Sequence, residues 1–245
     1  MRARTWVTVF TCWLISGGFS TGARAQSGTS PSFEALRFFG KLRATDAGVV
    51  LRLLRPEPIG AQEREEALAV LPESGDLRPD REERAKLAML DPVLVYHERA
   101  QVFEIKVIDV PQAAVALHQR AVLLISRPAL RLLSGPEVQA FVAHEIGHEY
   151  FWRDFEDTLA RGDRQGRQEL ELKCDGIAIL TLVELGLDPG RLTDGLGKLT
   201  RFNERLGATA NASEYPKLQE RLRFMKALRD LRFGLAPSTA RSARR

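Results

Sequence analysis

The segment "VAHEIGHEYFW", from Val142 to Trp152, restricts the fold more than any other part of the sequence. It places His144 and His148 four residues apart within an apolar run. On an α-helix such positions lie about 40° apart around the axis, so both imidazoles can bind one metal ion. Glu145 lies about 100° from His144, where its longer side chain reaches a water on that metal. The H-E-x-x-H spacing therefore predicts two nitrogen ligands for zinc and a carboxylate that acts as acid and base.

The apolar neighbours of this motif argue against an ordinary buried helix whose histidines are held by hydrogen bonds. Phe141, Val142, Ile146 and Tyr150 predict burial over much of the helix circumference. Three ionisable groups without partners would be costly there. A glycine inside a helix costs about 1 kcal/mol relative to alanine, so Gly147 indicates a close approach by neighbouring backbone or by substrate.

A catalytic zinc ion needs a third protein ligand, and the next predicted helix offers one in "ELELKCD", residues 169–175. Glu171 and Asp175 are four residues apart on one face among apolar residues, and two carboxylates directed into an interior require a cation. We predict that Glu171 is the third ligand and that Asp175 orients an imidazole, that of His144. Glu169 is the competing candidate, ranked lower because no acidic residue follows it four positions on. Cys174 is interpreted as a buried small hydrophobic residue and not as a fourth ligand.

The surrounding pattern predicts an α+β fold in which a small antiparallel sheet precedes the H-E-x-x-H helix. Residues 93–110 and 113–126 alternate in the manner of strands, with His118 at a hairpin tip. Because both strand segments precede the motif, an extended substrate is expected to pair with a sheet edge along Val122–Ile125.

Helical periodicity dominates the rest of the chain. Two short charged helices are expected before Asp91-Pro92, which ends the second. The capping-box spacing at 134–137 predicts the start of the motif helix, which runs to about Gly162. Further helices are predicted from about Gln165 to Leu185, from Asp188, and over 216–233.

The first 25 residues have the composition of a secretory signal peptide. Arg2 and Arg4 precede an apolar stretch, which is followed by small residues around Arg24. The stretch is too short and too interrupted for a membrane span. Removing it lowers the formal net charge from +4 to +1, so the charge balance predicts no nucleic-acid partner. The expected location is the periplasm or the extracellular space, with association to a membrane surface left open and no transmembrane span in the mature chain.

The chain is long enough for one well-buried domain, with 245 residues and 44% hydrophobic content. We divide it into the signal peptide (1–25), an N-terminal helical segment that could regulate the cleft (26–90), a metallopeptidase domain (91–234) and a disordered basic tail (235–245). Of the two cysteines, Cys12 lies in the predicted signal peptide, so no internal disulfide is expected. A peptide deformylase is disfavoured because that class carries a cysteine ligand upstream of its motif.

Together these features resemble the gluzincin-type zinc metallopeptidases of the forty-eighth metallopeptidase family, which includes HtpX and the CAAX prenyl endopeptidases. The resemblance covers about residues 107–228. It rests on H-E-x-x-H, on "ELELKCDGIAI", which is similar to the family's E-x-x-x-D element, on "LGLDPGRLTDGLGKL", and on "SEYPKLQERLRFM", which is similar to its T-H-P…E-R-I helix. It implies a zincin-like core and one zinc ion per chain. By this resemblance His144, His148 and Glu171 would be ligands, Glu145 the catalytic acid and base, and Asp175 the orienting acid.

The sequence departs from that family at three points, one of which is Cys174, in the position where the family has a small residue before the aspartate. Tyr215 stands where the family has the histidine of T-H-P, so Tyr215, Arg221 and His118 are the candidates for transition-state support. The hydropathy pattern of the sequence shows no membrane helices like those of HtpX. In this respect the sequence resembles the small soluble exported members of the family. The predicted function is a zinc endopeptidase that hydrolyses polypeptides in the cell envelope or outside the cell. The alternative is a catalytically weak zinc-fold chaperone or peptide-binding protein.

Overall fold

A computed structural model describes residues 30–42, 46–70, 77–207 and 215–233 of the chain. The predicted signal peptide, 1–25, and the predicted tail, 235–245, lie outside these residues. In chain order the elements are α1 (Pro31–Lys41), α2 (Ala47–Leu54), α3 (Ala61–Ala69), α4 (Arg81–Ala88), α5 (Asp91–Tyr96), β1 (Glu104–Ile108), β2 (Val115–His118), β3 (Val122–Ser126), α6 (Arg127–Leu132), α7 (Gly135–Tyr150), α8 (Trp152–Ala160), α9 (Arg164–Glu184), α10 (Gly190–Arg205) and α11 (Leu218–Phe233).

The three strands form a small mixed sheet in the order β1-β3-β2. β2 and β3 form the expected antiparallel hairpin, with His118 opposite Val122. β1 is parallel to β3, with Glu104 opposite Val122. The prediction of an α+β fold is confirmed, whereas the prediction of an entirely antiparallel sheet is wrong. Alternation shows that a segment is a strand, but it does not show that β3 inserts between the two strands that precede it.

Two predicted boundaries are wrong. Asp91-Pro92 begins α5 instead of ending a helix, because proline suits the first helical turn, where its missing N–H costs nothing. Strand character therefore starts only at Glu104. The motif helix ends at Tyr150, since Phe151 leaves helical geometry with φ −118° and ψ 25°. A separate helix, α8, then continues to Ala160.

Helix α9 occupies the centre of the hydrophobic core. It packs most extensively against α7, and α1, α2, α8 and α11 surround it. The crossing of α7 and α9 is close, because a Cβ atom added at Gly147 would lie 2.8 Å from Cys174 Cα. The close approach expected at Gly147 is therefore made by the backbone of α9. Two residues after Cys174, on another face of α9, the ring of Phe39 from α1 covers Gly176 closely.

The sheet packs beside α7 through β2 and is covered on one side by α3. All five residues of β3 are buried. Ala67 of α3 packs with Val122 and Leu124 in a small second cluster of buried side chains. Within the described ranges, none of the helices combines the length and the apolar character that a membrane crossing needs.

Candidate metal centre

A capping box fixes the start of helix α7, which places the H-E-x-x-H motif in the core. The backbone N–H of Ser134 donates to Glu137 Oε2 at 2.7 Å, as the capping-box spacing predicts. Lys198 Nζ of α10 lies 2.8 Å from the same oxygen. Three turns later the helix places His144, Glu145 and His148 in the interior, where each is at most 9% exposed.

Helix α9 supplies the second set of polar side chains. Its first turn is capped by Asp163, whose carboxylate accepts from Gly166 N at 2.9 Å. Glu171 and Asp175 follow within the buried part of the helix, 5% and 0% exposed. Because the two helices cross closely at Gly147, both carboxylates reach the histidines of α7.

Glu171 contacts both imidazoles. Its two oxygens lie 3.5 Å from His144 Nε2 and 3.6 Å from His148 Nε2. Ligands bound tetrahedrally at about 2.0–2.1 Å from zinc lie roughly 3.3 Å from each other. Both distances from Glu171 are close to that spacing.

The motif residues themselves also form a buried group that could hold a metal ion, since ligand atoms of His144, Glu145 and His148 lie within 4.8 Å of one another. Glu145 and Glu171 thus compete for the place of the acidic ligand. We favour Glu171, because each of its oxygens approaches an imidazole, whereas Glu145 Oε2 accepts a hydrogen bond from Leu117 N at 2.9 Å. His148 Nε2 is buried without a hydrogen-bond partner in the described part of the chain, and a metal ion would satisfy it.

Further hydrogen bonds fix the ring of His144 at its Nδ1 atom. Its Nδ1 lies 2.9 Å from Asp175 Oδ1. The guanidinium of Arg221, from α11, donates to both oxygens of Asp175, with Nε 2.8 Å from Oδ2. A hydrogen bond at Nδ1 leaves Nε2 directed toward Glu171.

Burial and the neighbouring charges shift the pKa of each motif residue. Burial lowers the pKa of His144, but its hydrogen bonds with Asp175 and Glu171 outweigh burial and raise the pKa to about 9. For His148 burial outweighs the attraction of Glu171 and lowers the pKa to about 4, which keeps the imidazole neutral and able to bind a metal. Burial raises the pKa of Glu145 to about 8 against the attraction of His144. A divalent cation would stabilise the ionised carboxylates in this pocket.

The hydrogen bond from Leu117 shows which strand borders the site. Leu117 lies between residues whose backbone groups pair with β3, so its N–H points away from the sheet. β2 is therefore the edge strand that faces α7. Pairing of a substrate along Val122–Ile125 is a wrong prediction, because these residues belong to β3, whose two edges are already used by β1 and β2.

Three other residues from the sequence analysis lie on or near α9. Glu169 forms an ion pair with Lys173 at 2.7 Å along the outer part of α9. Cys174 is fully buried, and burial raises the pKa of its thiol well above the usual value. The carbonyl oxygen of Tyr215 lies 3.5 Å from Gln168 Nε2.

Neither remaining histidine faces the ligand set. His118, at the end of β2, is buried, and burial lowers its pKa despite a hydrogen bond with the backbone of Ala67. His97 is buried between Tyr150 and Thr181, with a 2.9 Å contact at each ring nitrogen.

Sequence reasoning missed one contributor and the contacts of another. The backbone N–H of Leu117 carries no side-chain signal, so only the register of β2 reveals it. Arg221 is a predicted candidate for transition-state support, and the structure places its guanidinium on the Nδ1 side of His144, at 3.5 Å. No family model matches the chain, and no curated protein matches it either. The resemblance to gluzincin metallopeptidases therefore rests on the sequence motifs.

Proposed function

We propose that the protein is a zinc-dependent endopeptidase that hydrolyses peptide bonds in exported or envelope proteins, with a zincin-like core similar to that of the forty-eighth metallopeptidase family. One observation carries this proposal. Two imidazoles from α7 and a carboxylate from α9 converge at 3.5–3.6 Å, and a further carboxylate, that of Glu145, lies beside them. The location outside the cytoplasm depends on the N-terminal sequence pattern alone.

In this proposal His144 Nε2, His148 Nε2 and Glu171 hold the zinc ion. Zinc bound by three protein ligands supplies a Lewis acid that polarises a carbonyl group and lowers the pKa of water to about 7. Asp175 fixes the ring of His144 by accepting from Nδ1. Arg221 positions Asp175 by donating to both of its carboxylate oxygens, on the Nδ1 side of His144.

Glu145 is the acid and base. Its carboxylate accepts a proton from the attacking water and passes it to the nitrogen of the leaving amine. The hydrogen bond from Leu117 N holds Oε2 toward the edge strand, which leaves Oε1 for that proton. The β2 edge thus borders the side of the site where a substrate backbone would lie.

Metal content and cleavage by matched variants test the proposal. We expect about one zinc ion per chain by elemental analysis of the purified protein, and cleavage of casein. Glu145→Gln should keep the metal and lose at least about 100-fold in rate, since a positioned general base contributes that much or more. Glu169→Gln is the matched control, because Glu169 pairs with Lys173 instead of facing the histidines.

A second candidate function follows from the low exposure of the site. His144, Glu145, His148 and Glu171 are each at most 9% exposed, which favours a closed state with little access for substrate. A catalytically weak zinc-fold chaperone or peptide-binding protein would share this property. Native protein and Glu145→Gln that bind zinc and are equally inert would contradict the endopeptidase and favour this candidate.

A further inference from the structure

A groove runs between α3 and α8, next to the tip of the β2–β3 hairpin. It consists of two adjoining pockets with volumes of about 710 and 580 Å³. Both pockets are lined by Glu63, Arg120, Trp152 and Glu156, so they form one continuous surface, which we name the α3–α8 groove. Volumes of this size are typical of ligand sites.

The charge of this groove is opposite to that of the chain. The protein as a whole carries a net charge of +4. Two arginines line the groove, Arg120 and Arg153. The acids that line it are Glu57, Glu63, Glu66, Glu149, Asp154 and Glu156.

The charge of Arg120 is already used within the protein. Its guanidinium lies 3.3 Å from Glu149 Oε1, and Arg99 Nε lies 2.7 Å from the other oxygen of the same buried carboxylate. Arg120 also donates to the carbonyl oxygen of Glu57 at 2.6 Å. The five other carboxylates of the lining are exposed, and Arg153 is the one other arginine among the lining residues.

The groove also has an aromatic and apolar surface. Trp152 is half-buried at the start of α8 and stacks at a tilt on Phe155, with ring centroids 6.1 Å apart. A tryptophan face attracts cations, and nearby carboxylates add to this attraction. Ile59 and Leu159 line the groove as well and offer contact to the aliphatic stem of a long side chain. This combination fits a lysine or arginine side chain better than an acidic or a purely apolar one.

Two routes connect the groove with the metal centre. The ring of Phe155 lies 6.0 Å from that of His148, so two ring contacts join His148 to Trp152. On the strand side, Gln119 lines the groove two residues after Leu117, whose N–H contacts Glu145. An extended polypeptide advances about 3.3 Å per residue, so a chain at the metal centre reaches the groove within about two to four residues.

We propose that the α3–α8 groove binds a lysine or arginine side chain of a polypeptide substrate, about two to four residues from the bond that is cut. This inference names the substrate class of the site and rests on the proposed endopeptidase function. It makes the protein selective for basic segments of its substrates.

Peptide binding to an inactive variant tests the groove separately from turnover. The full-length Glu145→Gln protein, loaded with zinc, is titrated into fluorescein-labelled octapeptides that differ only in carrying two lysines, two glutamines or two glutamates. We expect the lysine peptide to bind about tenfold more tightly than the glutamine peptide at low salt, as two partly exposed charge contacts allow. The preference should shrink at 0.5 M NaCl because the contacts are solvated.

Charge reversals on the groove locate the preference. Glu66→Lys combined with Glu156→Lys should abolish the difference between the peptides, and the milder pair Glu66→Gln with Glu156→Gln should reduce it. Glu65→Lys is the matched control, because it makes the same change on an exposed residue of α3 that does not line the groove. Equal binding of all three peptides, or a preference that Glu65→Lys removes as fully as the groove pair, overturns the inference.

Cleavage of the same peptides by the native protein separates the two proposals. If the lysine peptide binds preferentially but no peptide is cleaved, the endopeptidase proposal is wrong and the proposed basic-side-chain site in the groove is supported. If the peptides are cleaved but bind equally well, the groove proposal is wrong and the endopeptidase proposal is supported.

Discussion

Replacing Arg221 with methionine should weaken zinc binding although Arg221 is not a ligand. Arg221 donates to both oxygens of Asp175, a carboxylate with no solvent exposure. Asp175 in turn holds His144 at 2.9 Å. Methionine fills a similar volume but donates no hydrogen bond. Of the two partners described here, the buried carboxylate of Asp175 would then keep only His144.

The contacts set the expected magnitudes. Burial raises the pKa of Asp175, but the charge and hydrogen bonds of Arg221 outweigh burial and, with His144, lower the pKa to about 2. Removing one partner of a buried ion pair costs about 3–5 kcal/mol, and we expect the metal-free protein to lose stability of that order. Loss of a partner behind a metal ligand weakens metal affinity about 10–100-fold. The lowered pKa contributes stability above pH 3.8 that disappears as the pH falls toward 2.

Zinc affinity and folding stability are measured separately. Competition with a chromophoric chelator gives the zinc dissociation constant, and urea unfolding in EDTA gives the free energy of unfolding without metal. Arg221→Lys should fall between native protein and Arg221→Met, since lysine keeps the charge but lacks the bidentate fork. Arg223→Met is the matched control, because Arg223 is exposed on the same helix and contacts the carbonyl oxygen of Gln219.

A folded Arg221→Met protein that binds zinc as tightly as the native protein would refute this reasoning. Arg221 would then stabilise α11 against α9 without influencing His144. A loss of stability alone does not suffice, because any buried ion pair would show it.

Three further predictions follow from single contacts. Gly147→Ala should destabilise the protein by about 1–3 kcal/mol in urea unfolding and weaken zinc binding, because the new methyl group meets Cys174 Cα. Unchanged stability would contradict the close crossing of α7 and α9. Burial lowers the pKa of His97 to about 3, so between pH 6.5 and 3 the unfolded chain binds a proton that the folded protein does not. The contribution of His97 to stability should therefore fall by about 2 kcal/mol from pH 7 to 5 in urea unfolding. His97→Gln should lack that part of the decrease. Removing metal with EDTA should lower Tm, since His148 Nε2 then stays buried without a hydrogen-bond partner in the described part of the chain. An unchanged Tm would argue against a metal at this site.

The helices that form the site could be predicted because local signals specify them. Ser134 and Glu137 mark the start of α7, and Gly186, with φ +68°, follows the end of α9. The spacings H-E-x-x-H and E-x-x-x-D place each pair of side chains on one helix face regardless of tertiary structure. For this reason the contact of His144 with Asp175 could be anticipated from the sequence.

Features that depend on contacts between distant segments could not be predicted. The four residues Val93–Tyr96 are apolar, with no period that separates a buried helix from a strand, and the outcome depends on Pro92 and on the core that they join. Strand order is likewise a tertiary property, so the pattern indicated two strand segments and a hairpin but not that β3 is central. The groove between α3 and α8 joins residues about 90 positions apart, and no local pattern signals it.

The polar side chains occupy the same positions relative to the helix crossing on α7 as on α9. Gly147 and Cys174 mark the closest approach, and on each helix the polar pair stands three residues before and one residue after that point: His144 and His148 on α7, Glu171 and Asp175 on α9. Small residues at the crossing therefore set the separation of all four side chains at once. Replacing one ligand removes only its own contacts, whereas widening the crossing lengthens the contacts of Glu171 with both histidines together with that of Asp175. The sequence thus specifies the candidate metal centre through Gly147 and Cys174 at the crossing as much as through the candidate ligands themselves.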